Sequence, residues 1–212
     1  MKVYASSFRL CARPERYSRL FGESLRVAVI PNALDFSSDE AWRRKWLKRE
    51  LDDLQALGLQ PDELDLRDFF GDPLSLRQDL SAFNGVWVIG GNVFLLRRAM
   101  RQSGFDEFIW RQRTHSQGFV YGGYSAGSCV LAPSLHGLEI VDPPTQLASG
   151  YDPSVCWDGL GILSYSVAPH FDSDHSEAEQ IKLVVDYFKA QGIPYRTLRD
   201  GEAIIVDPVL AS

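Results

Sequence analysis

Cysteine is scarce in this chain: Cys11, Cys129 and Cys156 are all it has. An odd number without a C-x-x-C spacing excludes a disulfide-stapled scaffold and a paired-thiolate metal site. It fits a reduced, cytoplasmic setting with buried or incidental thiols. Long apolar runs are missing too. Stretches such as residues 203–206 fall far short of the roughly 20 residues that cross a bilayer, so no membrane association is expected. No apolar segment follows Lys2, and no secretion leader is expected. Basic residues are the minority charge: 22 Lys and Arg against 28 Asp and Glu give a formal net charge of −6, which argues against nucleic acid as a partner. Neither a fixed-period repeat nor a low-complexity tract is visible, which removes solenoid, collagen-like and disordered classes.

What is present is ordinary for a globular protein. Of 212 residues, 45% are hydrophobic and 24% charged, enough for a large core without disulfides or metals as staples. Short β-branched or aromatic runs predict strands at residues 2–6, 26–30, 65–66 with neighbours, 86–89, 119–122, 166–168, 195–198 and 203–206. Helical periodicity lies between them. Over 41–57, Trp42, Trp46, Leu47, Leu51 and Leu54 share a stripe while Arg43, Arg44, Lys48 and Asp52 face outward, and Gly58 stops the helix. Over 177–190, Ile181, Val184, Val185 and Phe188 repeat at helical spacing, with Ser176 and Glu179 as a capping box. Apolar strands alternating with helices predict a mostly parallel sheet covered on both faces. No linker divides the chain, so one α/β domain over residues 1–212 is expected. The irregular stretch 132–161 reads as a functional loop. Trp42, Trp46 and Trp110 read as core or interface aromatics.

The most informative segment runs from Phe119 to Leu131: a buried strand, then Gly123-x-Ser125-x-Gly127, then a helix. Such a turn forces its central residue into a strained backbone that only small neighbours permit, exposing the serine hydroxyl at the carboxyl end of the sheet. The N–H of Ala126 can then point at a developing oxyanion. A tight glycine turn with a serine N-cap would read the same way, so the motif needs company. Gly90-Gly91-Asn92 follows a second buried strand. It matches no phosphate-binding pattern, but it can supply a second oxyanion amide where only glycine allows close approach. Among four histidines, His115 (polar helix) and His136 (loop) read as solvated. His170 follows the strand 166–168 at its carboxyl end, where open α/β sheets bind ligands, and is the candidate base. His175 reads as a residue behind it or at the surface. Cys129, one turn after Ser125, reads as a small core residue.

Gly90-Gly91-Asn92-Val93-Phe94, Gly123-Tyr124-Ser125-Ala126-Gly127, Pro169-His170-Phe171 and Leu198-Arg199-Asp200-Gly201 occur in this order across most of the chain. In this the sequence resembles the dipeptidase E (aspartyl dipeptidase) and cyanophycinase family of serine peptidases. The resemblance implies a three-layer sandwich similar to class I glutamine amidotransferases, no cofactor, and a short-peptide substrate; homodimers are common in the family. It also implies Ser125 as nucleophile, His170 as general base, and Gly91 and Ala126 as oxyanion-hole amides. The acid maps to Asp200, where dipeptidase E carries a glutamate one methylene longer. Asp172, two residues after the histidine as in class I amidotransferases, and Glu202 are rivals. The order Ser, His, acid differs from that of α/β-hydrolases and favours the amidotransferase-like fold.

Specificity departs from the family pattern. An aspartyl preference needs a cation for the substrate carboxylate, yet His170 is followed by Asp172, Asp174, Glu177 and Glu179 with no arginine before the helix. A strict aspartyl preference is therefore not expected. These acids could hold an amino terminus or a basic side chain, or could simply decorate a helix start. Two other readings stay open: a metal-dependent hydrolase using His170, Asp172, Asp174 and His175, and a non-catalytic ligand-binding module of the same fold.

Overall fold

The computed structural model describes residues 1–115 and 118–207, without the side chain of His115. The expected unit 1–212 thus extends past the described residues at 208–212. In chain order the elements are β1 (Lys2–Ser6), α1 (Glu15–Ser18), β2 (Arg26–Ile30), α2 (Glu40–Ala56), β3 (Gln60–Glu63), α3 (Pro73–Leu80), β4 (Gly85–Val88), α4 (Val93–Ser103), α5 (Phe105–His115), β5 (Val120–Tyr124), α6 (Ala126–Cys129), β6 (Ser166–Ala168), α7 (Ala178–Gln191), β7 (Tyr195–Thr197) and β8 (Ala203–Val206).

Six strands form one sheet in the order β3-β2-β4-β5-β1-β8. All pairs are parallel except β1 with the edge strand β8. Alternate side chains enter two cores, as the two-residue period of a strand requires. Val3, Ala5, Ala28, Ile30, Val86 and Val88 pack on one face with α3 to α7. Tyr4, Val27, Val29 and Trp87 pack on the other with α1 and α2. Both faces are covered, which is why these strands read as near-continuous apolar runs. The result is the expected mostly parallel sheet between helical layers.

Several local expectations fail for identifiable reasons. The third strand lies at Gln60–Glu63, not 65–66. Its polar sequence and Pro61 are tolerated because β3 is an edge that pairs only with β2. Asp65 instead accepts the N–H of Arg67 at 3.0 Å and starts a 3-10 turn, Leu66–Phe69. The strands β6 and β7 pair in parallel as a separate two-stranded sheet. The capping box is not made: Glu177 holds the N-cap position of α7 without a side-chain cap, and its N–H donates to His175 Nδ1 at 3.2 Å.

On α2, Arg43 does not face outward. Its guanidinium meets Asp35 at 3.0 Å and Asp65 at 2.8 Å. The buried stripe of this helix includes Glu50, which accepts from Trp87 Nε1 at 3.1 Å and Tyr124 Oη at 3.3 Å. The stretch 132–161 is a brace rather than a functional loop. Asn92 donates to Pro143 O at 3.2 Å and Gln146 Oε1 at 2.9 Å. The buried Arg98 donates to the carbonyls of Pro144 at 2.6 Å and Ser154 at 3.0 Å. These bonds fasten the stretch to α4, and none of its residues lines the cavity that holds Ser125.

Candidate active site

The parallel register gathers the chemistry at one sheet edge. Ser6 pairs with Tyr124 and Val88 with Gly123, so Ser7, the Gly90-Gly91 turn and Ser125 emerge side by side at the carboxyl ends of β1, β4 and β5. Ser125 joins β5 to α6 at φ 50°, ψ −116°, a conformation L-residues seldom adopt. Its N–H donates to Ser7 O at 3.1 Å. Ser128 Oγ ties the new helix back to Ser6 O at 2.8 Å and Gly123 O at 2.9 Å. The turn needs Gly127, because a Cβ there would sit 2.4 Å from Val88 O. Gly91 is equally constrained: at φ 143° a Cβ would lie 2.3 Å from Ala33 O. The amides of Gly91 and Ala126 donate to nothing among the described residues, so two free donors stand beside the serine.

The small sheet delivers the imidazole. Ala168 pairs with Thr197, so His170 and Asp200, two and three residues further on, come together: His170 Nδ1 lies 2.7 Å from Asp200 Oδ1. The Ser7 hydroxyl locks this pair. It accepts the N–H of His170 at 2.7 Å and donates to Asp200 Oδ1 at 2.7 Å. Asp200 N–H donates to Ser173 Oγ at 2.8 Å. The rivals are engaged elsewhere. Asp172 is exposed and bonded to Arg199, and Glu202 accepts the N–H of Arg199 at 2.8 Å. Of the three acids, only Asp200 reaches His170.

His170 is 1% exposed, yet it borders the same cavity of about 180 Å³ as Ser125, Gly90 and Gly91. Burial and the neighbouring His175 hold its imidazole below the usual 6.5, while Asp200 pulls the other way. It is therefore neutral at neutral pH, and with Nδ1 engaged by Asp200, Nε2 is the nitrogen free to take a proton. Ser125 Oγ makes no hydrogen bond to any described residue.

His175 stacks on His170 with ring centroids 3.7 Å apart and planes 9° from parallel, and Phe8 packs edge-on against both. His170, His175 and Glu177 form the one cluster with metal-ligand spacing among the described residues. This replaces the set expected from sequence, since Asp172 and Asp174 point to solvent. In-plane nitrogen lone pairs on nearly parallel rings do not converge on one ion, so these residues do not fit a tetrahedral metal as arranged.

His136 is exposed and stacks on Trp157 at 4.5 Å; the side chain of His115 lies outside the described residues. Cys129 is buried, as expected. Trp42 and Trp46 are not simply core: both line the cavity with Phe8 and Phe36. Trp110 lies 43% exposed, away from it. Sequence reasoning missed Ser7 and Phe8, which stand in no motif. It also missed Asp142, whose buried carboxyl accepts the N–H of Val93 at 2.8 Å and is pushed up to about 7 by burial.

Comparison with known proteins places these motifs. The profile of Peptidase family S51 matches residues 14–208. An uncharacterized peptidase of Listeria innocua is 26% identical over 153 residues, 72% of this chain and 68% of that protein. One of Listeria monocytogenes is 25% identical over 154 residues, 72% and 70% of the two. Among solved structures, a peptidase E protein of L. monocytogenes EGD-e superposes with a TM-score of 0.69 at 20% identity, covering 97% of this chain and 98% of that one. A peptidase from an acI-B1 actinobacterium gives 0.62 at 18% identity, over 85% and 74%. The chain belongs to peptidase family S51, and is a serine-type peptidase with a class I glutamine amidotransferase-like fold.

Proposed function

We propose that the protein hydrolyses short peptides by acyl transfer, with Ser125 as nucleophile, His170 as general base, Asp200 as the acid that orients it, and the Gly91 and Ala126 amides as oxyanion donors. The observation that carries this reading is the 2.7 Å bond from His170 Nδ1 to Asp200, on an imidazole that shares a cavity with a serine in a strained turn. Asp200 fixes the tautomer, leaving Nε2 to remove the proton of Ser125 as Oγ attacks the peptide carbonyl. Negative charge then develops on the carbonyl oxygen, where the two unpartnered amides can receive it. His170 returns the proton to the leaving amine, and water releases the acyl-enzyme by the reverse sequence. The serine–imidazole contact is unmade in the free protein; such contacts commonly tighten only with substrate bound. A cavity of about 180 Å³, below the range of about 300–1,000 Å³ for drug-sized ligands, suits a single residue better than a long chain.

A fluorophosphonate should label Ser125, and Ser125→Ala should lose both the label and all cleavage of a peptide library. Asp200→Asn should retain the fold and lower kcat about a thousandfold or more, because the imidazole loses its tautomer. Cleavage retained by Ser125→Ala would overturn the assignment.

A further inference from the structure

The cavity beside Ser125 has aromatic walls from Phe8, Phe36, Trp42 and Trp46 and one acidic side chain, Glu177; no lysine or arginine lines it. Glu177 is also the acid in its neighbourhood left without a strong cation. Asp172 is bonded to Arg199, and Glu179 meets Lys182 at 2.7 Å. Asp174 does not line the cavity. Glu177 has no lysine or arginine partner among the described residues. Its carboxylate lies 4.0 Å from His175 Nδ1, but that nitrogen accepts the Glu177 N–H and so carries no proton for it. The guanidinium of Arg49 lies over the ring of the lining residue Trp46 at 3.9 Å and is bound to Glu50 at 2.8 Å.

A half-exposed carboxylate facing electron-rich rings recognises an ammonium or guanidinium, through a charge-assisted hydrogen bond and cation–π contact. It repels a carboxylate. Building on the assignment of Ser125 as nucleophile, we propose that Glu177 sets specificity by holding a positively charged group of the substrate, either its free α-amino terminus or a lysine or arginine side chain.

The test is protection of Ser125 from fluorophosphonate by small amides, which reads occupancy without needing turnover. L-Lysinamide should slow labelling of the wild-type protein at concentrations about tenfold below those needed of Nα-acetyl-L-leucinamide, which carries no charge at either position, the size of one charge-assisted hydrogen bond. That advantage should vanish in Glu177→Gln and reverse in Glu177→Arg. Each comparison is a ratio within one protein, so a variant's own labelling rate reports its folding. The wild-type ratio stands even if a variant fails to fold. L-Leucinamide and Nα-acetyl-L-lysinamide separate the sources: protection by the first assigns the α-amino group, protection by the second the side chain. A labelled protein on which lysinamide has no advantage, or in which Glu177→Gln keeps it, overturns this proposal alone. A wild-type chain that takes no label overturns the nucleophile assignment and this one with it.

Discussion

A single hydroxyl, Ser7 Oγ, touches both the backbone of the imidazole residue and the carboxylate that faces its ring, at 2.7 Å each. Ser7 does not line the cavity and meets Ser125 through its backbone carbonyl, so the contribution of the hydroxyl is positional. A hydrogen bond to a charged group is worth about 1.5–3 kcal/mol. Ser7→Ala should therefore lower kcat by about ten- to a hundredfold with KM little changed, and steady-state kinetics on any cleaved peptide would show it; a change confined to KM would refute a positioning role. His175 acts differently. Burial first, and then the like charge that His175 carries when it too is protonated, depresses the pKa of His170, and the base works only when neutral. Activity should thus persist below pH 6.5 and fall as His170 protonates. His175→Phe keeps the ring stack and the burial but removes the like charge, so the acid limb of kcat/KM should move upward toward pH 6.5. A limb that stays in place would show that burial alone sets it.

At the scale of elements, the donor turn Gly90-Gly91 depends on where α4 starts, and α4 is held by the stretch beyond α6. Asn92 caps it through Phe94 and Leu95, Asp142 binds Val93, and Arg98 binds three carbonyls of the brace, those of Pro144, Gln146 and Ser154. Arg98→Ala leaves these carbonyls and a cavity behind, and should cost about 3 kcal/mol, lowering Tm by roughly 10 °C. Thermal unfolding measures this; an unchanged Tm would mean that the brace is not held through Arg98. This dependence explains what was legible in the sequence. Elements with a period, such as α7 and the apolar strands, were readable because both faces or one stripe are buried. The edge strand β3 was not, since an edge tolerates Pro61 and polar residues. Nor was the brace, whose order comes from side chains of another element rather than from its own sequence. Trp42 and Trp46 lie on the predicted stripe of α2, but that stripe continues past the core into the cavity wall, a boundary no periodicity marks.

For the molecule as a whole, the candidate site is a product of register. Ser125, Gly91 and His170 each announce themselves at a strand end, whereas choosing among Asp200, Asp172 and Glu202 required the pairing of Ala168 with Thr197. Glu50 and Asp142 were unreadable for the same reason, because their burial is decided by distant parts of the chain. Asp142 has a global consequence. Its carboxyl is shifted from an ordinary 3.8 to about 7, first by burial, with Glu177 adding to the shift and the Val93 N–H opposing it. The folded state therefore binds the proton more tightly than the unfolded chain. Between about pH 4 and 7 the unfolded chain ionises while the folded one stays protonated, so this group's contribution declines as pH rises and is constant above. About three pKa units at about 1.4 kcal/mol each make the decline about 4 kcal/mol. Asp142→Asn has no proton to lose and keeps an acceptor for Val93. Its stability relative to wild type should rise by about 2.5–3 kcal/mol between pH 5 and pH 8, since about one unit of the shift is already spent by pH 5; chemical denaturation at both reads this, and a difference that does not change with pH would mean that Asp142 ionises freely where it lies.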